Sequence, residues 1–321
     1  MAEEEYKGTI IPKEDFDVEV AAKQFKKAMK GIGTDENAII RLLVSHNNLQ
    51  RTEIKDKYKE MFGQDLIEDL KEELGGHFEN AVIAMLISPY ELQTSAINEA
   101  FEGVGTQENT LVDILCCKTP DEICSLAYFY EEANGRSLDD QLASELSGDF
   151  KNLMRSLVAA GRDEDETKDA AMARKDAQDL YDAGIGMNGD TDSSEFIAIL
   201  NTRSYTQLQE IFNAYESIAQ DSIENAISSE FDGDMKNGLL AIVLRVKDPL
   251  AFYATRIHEA LDGPGTDDKS LIRILVSRSE IDLADIRTKY KELFDVDMVD
   301  AVKDDTAGDY GKLLVAIING S

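Results

Sequence analysis

The sequence predicts an all-α protein built from four related units of about five short helices each. Three observations carry this reading. Apolar residues recur with a period near 3.6 along almost the whole chain, and period-2 alternation is nearly absent. One motif, an apolar helical pattern broken by two glycines one residue apart, returns along the chain, and the segments downstream of it return in the same order. Of only five prolines, three (Pro89, Pro120 and Pro249) fall at expected helix starts, where the missing N–H costs nothing.

The motif reads "MKGIGTDENAI" from Met29, "FEGVGTQENTL" from Phe101 and "LDGPGTDDKSL" from Leu261, with an altered copy, "AGIGMNGDTDSSEF", from Ala183. An apolar helical segment comes next each time ("IIRLLVS", "LVDILCC", "FIAILNT", "LIRILVS"). Then come a Tyr- or Phe-rich amphipathic stretch, an acid-x-x-Gly and a closing apolar helix. The second glycines, Gly33, Gly105, Gly189 and Gly265, step by 72, 84 and 76 residues. The longest step holds a charged, Ala-rich stretch from Ala160 to Gln178 with weak apolar periodicity, which reads as a linker between two halves. The expected organisation is a tail over 1–17, repeats over 18–88 and 89–160, a linker over 161–175, and repeats over 176–247 and 248–321.

Composition narrows the function. The chain has 321 residues, enough for two or more domain-sized units, and 43% are apolar, enough to fill cores. Its 64 acidic against 33 basic residues give a net charge of −31, which argues against nucleic acid as a partner. An anionic membrane would repel it too, unless a cation intervenes. Cys116, Cys117 and Cys124 have neither a disulfide framework's even count nor zinc-site spacing. Without a signal segment or an apolar run near 18 residues, a cytoplasmic protein is expected.

The Gly-x-Gly motif lacks the context of a phosphate loop. A dinucleotide loop needs a third glycine, where these copies have Glu36, Glu108 or Asp268, and a preceding strand. No copy has the G-K-[ST] of a P-loop. Glycines also end helices, and the adjoining Thr hydroxyl would then cap the next helix. That reading leaves a second feature unexplained. An acid sits 40 residues after the second glycine in three repeats, pairing Gly33 with Glu73, Gly105 with Glu145 and Gly265 with Asp305. In the third repeat Gly189 and Glu230 are 41 apart, consistent with one residue inserted near Asp190. Each acid stands three residues before a glycine. A helix C-terminus leaves carbonyl oxygens free, and alternate glycines let several converge. Three carbonyls and one bidentate carboxylate supply about five oxygens, whereas Ca2+ takes about 6–8, so water or a lipid phosphoryl oxygen could complete the shell. One formal charge implies weak affinity for Ca2+ alone, roughly micromolar or poorer, which anionic lipid would raise.

These residues resemble the annexin family: four repeats of about 70 residues, each with Gly-x-Gly-Thr and an acid some forty residues on, from about Val18 to the C-terminus. The likeness extends to "LLVSHNN", "LNTRSYTQLQEIF" and "ILVSRSEIDL". It implies four five-helix repeats in a curved disc, with calcium loops on the convex face. It also implies calcium-dependent peripheral binding to anionic, phosphatidylserine-type phospholipid membranes. Carried onto this chain, the first site would use the carbonyls of Met29, Gly31 and Gly33 with Glu73. The second would use Phe101, Gly103 and Gly105 with Glu145, and the fourth Leu261, Gly263 and Gly265 with Asp305. The family's longer third loop implies Gly184, Met187 and Gly189 with Glu230.

Where some relatives place a lipid-dipping Trp in the third loop this chain has Asn188, leaving insertion to Met187 or Ile185. At positions where pore acids line relatives credited with conduction it has Gln93 and Ala96, which weakens a Ca2+-gated channel reading, though Arg273 and Asp113 remain. The short tail, interrupted by Pro12, shows no amphipathic stripe for an EF-hand partner, and its Tyr6 and Thr9 hydroxyls are expected to be solvated. Self-association on membranes stays open. His46, His77 and His258 are scattered, with no catalytic constellation, so no enzyme is expected. The competing reading is a metal-independent helical scaffold for protein partners, which has no need of an acid at fixed distance from every Gly-x-Gly.

Overall fold

The computed structural model describes residues 7–31, 33–103, 105–186 and 191–320. Among them are twenty helices and no strand, five helices to a repeat. Repeat 1 holds α1 (Val18–Ala28), α2 (Glu36–Val44), α3 (Asn48–Phe62), α4 (Leu66–Glu73) and α5 (Gly76–Leu86). Repeat 2 holds α6 (Pro89–Ala100), α7 (Glu108–Leu115), α8 (Pro120–Asn134), α9 (Leu138–Glu145) and α10 (Gly148–Val158). Repeat 3 holds α11 (Ala170–Ala183), α12 (Ser193–Thr202), α13 (Tyr205–Ala219), α14 (Ile223–Glu230) and α15 (Gly233–Lys247). Repeat 4 holds α16 (Pro249–Leu261), α17 (Asp268–Arg278), α18 (Leu283–Phe294), α19 (Met298–Asp305) and α20 (Gly308–Asn319). The expected linker is irregular only up to Asp169, because Asp169 caps α11 by accepting from Ala171 and Met172.

Local chemistry explains the boundaries. Asn47 and Thr119 each form a reciprocal capping box with Gln50 and Glu122, which starts α3 and α8. Those helices stop at left-handed glycines, Gly63 and Gly135. Their counterparts α13 and α18 stop in the same conformation at Gln220 (φ 55°) and Asp295 (φ 57°), where a side chain makes it costly.

The chain divides into two compact units, Met1–Leu92 with Tyr253–Ser321, and Gln93–Phe252. In the first, α2 and α5 pack on α17 and α20, burying Leu43, Val82, Leu275 and Leu314 completely. In the second, α7 and α10 pack on α12 and α15 around Leu115, Leu153, Leu200 and Ile242. Each such side chain contributes about 1.5–3 kcal/mol on burial. The linker is fixed within the second unit by Arg162, which lies 4.6 Å from the Tyr205 ring and donates to Arg203 O. Cys116 and Cys117 are buried, and Cys117 Sγ donates to the Asp113 carbonyl.

A buried cation ties repeat 1 to repeat 4. The Arg51 side chain, 1% exposed, donates to the carbonyls of Met85, Leu43 and His46 and to Glu280 Oε1 at 3.0 Å. It therefore satisfies carbonyls left over at the ends of α5 and α2. The tail is bound as well, contrary to the solvated tail expected for Thr9. The N–H groups of Thr9 and Ile10 donate to Ser279 O, the Thr9 hydroxyl donates to Ile317 O at 2.6 Å, and Ile10 is buried. Lys13 exchanges hydrogen bonds with Gln50 in both directions. The sequence offers no apolar stripe here because the strap is held mainly by main-chain bonds. Tyr6 lies outside the described residues.

Candidate metal centres at the Gly-x-Gly loops

In every repeat the first helix runs into the glycine loop and the second begins at a cap. The loop is closed by one main-chain bond: Asp35 N donates to Ala28 O, Gln107 N to Ala100 O, Asp192 N to Ala183 O and Asp267 N to Ala260 O, all at 2.8–2.9 Å. Between these anchors repeats 1, 2 and 4 have the same spacing, while repeat 3 has two more residues, one on either side of Gly189. Glycine is required in the three short loops because the backbone turns left-handed twice. The φ angles are 121° and 86° at Gly31 and Gly33, 98° and 91° at Gly103 and Gly105, and 151° and 102° at Gly263 and Gly265. A side chain at these sites would meet no neighbour, so the constraint is conformational. The carbonyl of Gly263 accepts from Gly265 N at 3.0 Å, which uses one of its two lone pairs.

The candidate acids share one position. Glu73 closes α4, Glu145 closes α9, Glu230 closes α14 and Asp305 closes α19. A carboxylate at a helix C-terminus faces the negative end of the dipole, and each costs about 0.3–1 kcal/mol there. The glycine three residues on is left-handed in all four repeats, reversing the chain into the fifth helix.

Loop and acid come together, by a bond that corrects the sequence reading. The Thr hydroxyl was expected to cap the second helix, but that cap is the next residue: Asp35 accepts from Ala38 N, Asp192 from Ser194 N and Asp267 from Ser270 N. The hydroxyl is thereby free to donate to the distant acid. Thr34 Oγ1 donates to Glu73 Oε2 at 3.0 Å, Thr191 to Glu230, and Thr266 to Asp305. Repeat 2 differs. Among the described residues Thr106 makes no such bond, and Glu145 accepts instead from Gln141 Nε2 of its own helix, whose Oε1 accepts from Arg136. Gln107 gives α7 no side-chain cap.

Glu73 and Asp305 line one cleft of about 520 Å³ in the first unit, together with Glu36, Asp268, His77 and Tyr310. Burial, with Asp268 alongside, pushes the Tyr310 hydroxyl far above its ordinary value. His77 Nε2 stands 3.4 Å from Asp268 Oδ2. This shared cleft was not readable from the sequence, because it joins repeats from opposite ends of the chain. Met187, Asn188 and Gly189 of the third loop lie outside the described residues. Gly184 caps α11 with its N–H bonded to Leu180 O and Tyr181 O, and Ile185 beside it is exposed. Met29 caps α1, Phe101 comes directly after α6, and Leu261 is the last residue of α16.

His46, His77 and His258 are far apart in use as well as in sequence. His46 is buried against Leu42 O, and His258 stacks on Phe294. Among the described residues no three His, Cys, Asp or Glu groups cluster to hold a metal. A cation at these loops would therefore rely on main-chain oxygens and a single carboxylate, the hard donors that suit Ca2+.

Comparison with known proteins agrees with the repeat pattern. The annexin family profile matches residues 20–85, 94–157, 175–242 and 252–317. Human annexin A4 is 41% identical over 313 residues, covering 98% of each chain. The structure of annexin III superimposes with a TM-score of 0.95 at 39% identity and 98% coverage of both chains. That of calcium-bound annexin (Sm)1 gives 0.85 at 30% identity, covering 98% of this chain and 93% of the other. Four matched repeats, twenty helices in the same arrangement and this level of identity along nearly the full length have one explanation: the chain belongs to the annexin family.

Proposed function

We propose that the chain binds anionic phospholipid membranes peripherally when calcium is present, with Ca2+ bridging the glycine loops to lipid phosphates. The family, known for calcium-dependent phospholipid binding, supports the class of function. The observation that carries the reading for this chain is the junction of a doubly left-handed Gly-x-Gly loop with a carboxylate placed at a helix C-terminus. A helix gains nothing from an acid in that place, and a bound cation would offset its cost.

The carbonyls of Met29, Gly31 and Gly33 with Glu73 would hold the first ion, those of Phe101, Gly103 and Gly105 with Glu145 the second, and those of Leu261, Gly263 and Gly265 with Asp305 the fourth. Gly184, Met187 and Gly189 with Glu230 would hold the third. Bound Ca2+ supplies positive charge between two surfaces that otherwise repel, since this chain carries −31. Open coordination positions would accept phosphoryl oxygens of phosphatidylserine-type lipid. Lipid and Ca2+ then tighten each other reciprocally. No described helix is long and apolar enough to cross a membrane, which fits attachment from the side. We place the protein in the cytoplasm, reversibly at membranes, and assign it no catalytic role.

The test is co-sedimentation with phosphatidylserine vesicles across a calcium series, comparing the native chain with the combined Glu73→Gln, Glu145→Gln, Glu230→Gln and Asp305→Asn variant. Binding that needs calcium, reverses with chelator and moves to much higher calcium in the variant is expected. Equal binding by both chains, or none by either, would leave only a helical scaffold.

A further inference from the structure

We propose that the loop threonines Thr34, Thr191 and Thr266 are positioning residues that pre-set the metal carboxylates, and that repeat 2, which lacks this latch, is the weakest of the four sites. The inference rests on the calcium reading of these loops and adds to it a ranking of the sites.

A Glu or Asp at the end of a helix has freely turning side-chain torsions, and binding an ion must freeze them. In repeats 1, 3 and 4 a half-buried hydroxyl from the glycine loop has already done so, bonding the carboxylate to the loop whose carbonyls would complete the site. The bond leaves other lone pairs of the carboxylate free, because an ionised carboxylate accepts at about four positions and the hydroxyl takes one. The latch is thus compatible with an ion on the same group. It also bridges chain segments 39 residues apart, so it sets the distance between loop and acid, which no bond within α4, α14 or α19 could do.

Repeat 2 is an internal control. Its loop has the same length and the same left-handed glycines, and Thr106 is present. Yet Glu145 is tethered by Gln141, four residues earlier on α9, and Gln141 is fixed in turn by Arg136. Glu73, Glu230 and Asp305 have Asp69, Ala226 and Ala301 at the corresponding position, none of which can donate in that way at neutral pH. Site 2 must break the Gln141 bond or reorient the acid before an ion is held. Its filling should lag behind the others as calcium rises.

The experiment measures the calcium concentration for half-maximal binding to phosphatidylserine vesicles, using the full chain with Thr34, Thr191 and Thr266 all changed to Val, the same three changed to Ser, and Thr106→Val alone. The valine triple should need roughly two- to tenfold more calcium, the cost of ordering one side chain per site. The serine triple, which restores the hydroxyl, should return to the native value, and Thr106→Val should not move it. Gln141→Ala should shift the native curve to lower calcium or leave it in place, and a shift to higher calcium would contradict the ranking. If the native chain binds vesicles with calcium but the valine triple matches it, or serine fails to rescue a folded protein, the latch is wrong while the calcium reading stands. A native chain that shows no calcium-dependent binding would overturn both.

Discussion

Converting the four terminal acids to amides should make the calcium-free protein more stable, a result that separates a residue kept for a ligand from one kept for the fold. The perturbation is the combined Glu73→Gln, Glu145→Gln, Glu230→Gln and Asp305→Asn variant. Each acid is the last residue of its helix, where orphan carbonyls gather, and removing the charge relieves about 0.3–1 kcal/mol. The threonine bonds survive, because an amide oxygen accepts as a carboxylate does. Two acids fall in each compact unit, so each unit gains about 0.6–2 kcal/mol. For a urea slope near 3 kcal/mol/M, the midpoint of each transition rises by about 0.2–0.7 M. Lowering a net charge of −31 acts in the same direction, so Glu53→Gln with Asp56→Asn, both within α3, measures that general part. The assay is urea unfolding by far-UV circular dichroism, in chelator and in millimolar calcium. In chelator the amide chain should be the more stable and exceed the α3 control per charge removed. With calcium at about a hundred times its dissociation constant the native chain gains about 2.7 kcal/mol per site, and the order reverses. An amide chain less stable than native in chelator would refute the reasoning, since the acids would then be serving the fold.

Three further outcomes are expected. Arg51→Met should cost about 3–5 kcal/mol in the first unit, because it strands three carbonyls and Glu280, while Glu280→Gln, which keeps an acceptor, should cost far less; urea unfolding of the two single variants distinguishes them. Gln220→Gly and Asp295→Gly should each stabilise by about 1 kcal/mol, seen as a higher thermal midpoint, because Gly63 and Gly135 already fill the matching positions of repeats 1 and 2. Burial holds the His46 imidazole below its ordinary value of 6.5, so the unfolded chain takes up the proton first and stability is lost as pH falls below about 6.5. The native thermal midpoint should therefore drop more between pH of about 7.5 and about 5.5 than that of His46→Asn.

The repeat count, the helix class and the loop-to-acid spacing were legible because they are written as periodicities, and a period survives whatever packs around it. Helix starts at Pro89, Pro120 and Pro249 were legible for the local reason that proline fits only there. The features that stayed hidden depend on contacts between distant segments. Thr34 and Asp35 compete for one capping role, and the sequence alone favours the hydroxyl that comes first; the structure gives the cap to Asp35 because Thr34 has Glu73 to reach. Thr9 looked solvated because its acceptor, Ile317 O, is 308 residues away. Repeat 2 looked like the others, since the residue that sets it apart, Gln141, lies outside the motif. The spacing of glycine and acid did reveal an insertion after Gly189, but the second extra residue, before it, became visible only through the bond from Asp192 to Ala183.

The unit formed by the first and last repeats is discontinuous in sequence, and this has a consequence for synthesis on the ribosome. Gln93–Phe252 is one uninterrupted stretch and can fold as it emerges, whereas α2 and α5 wait for α17 and α20 while some 160 intervening residues are made. At about 5–20 residues per second that interval is roughly 10–30 s, long on the timescale of helix formation. Through it, Leu43 and Val82 have no partner to cover them. The nascent first repeat is therefore the stretch most in need of a chaperone, and the tail strap closes only after Ile317 has left the exit tunnel.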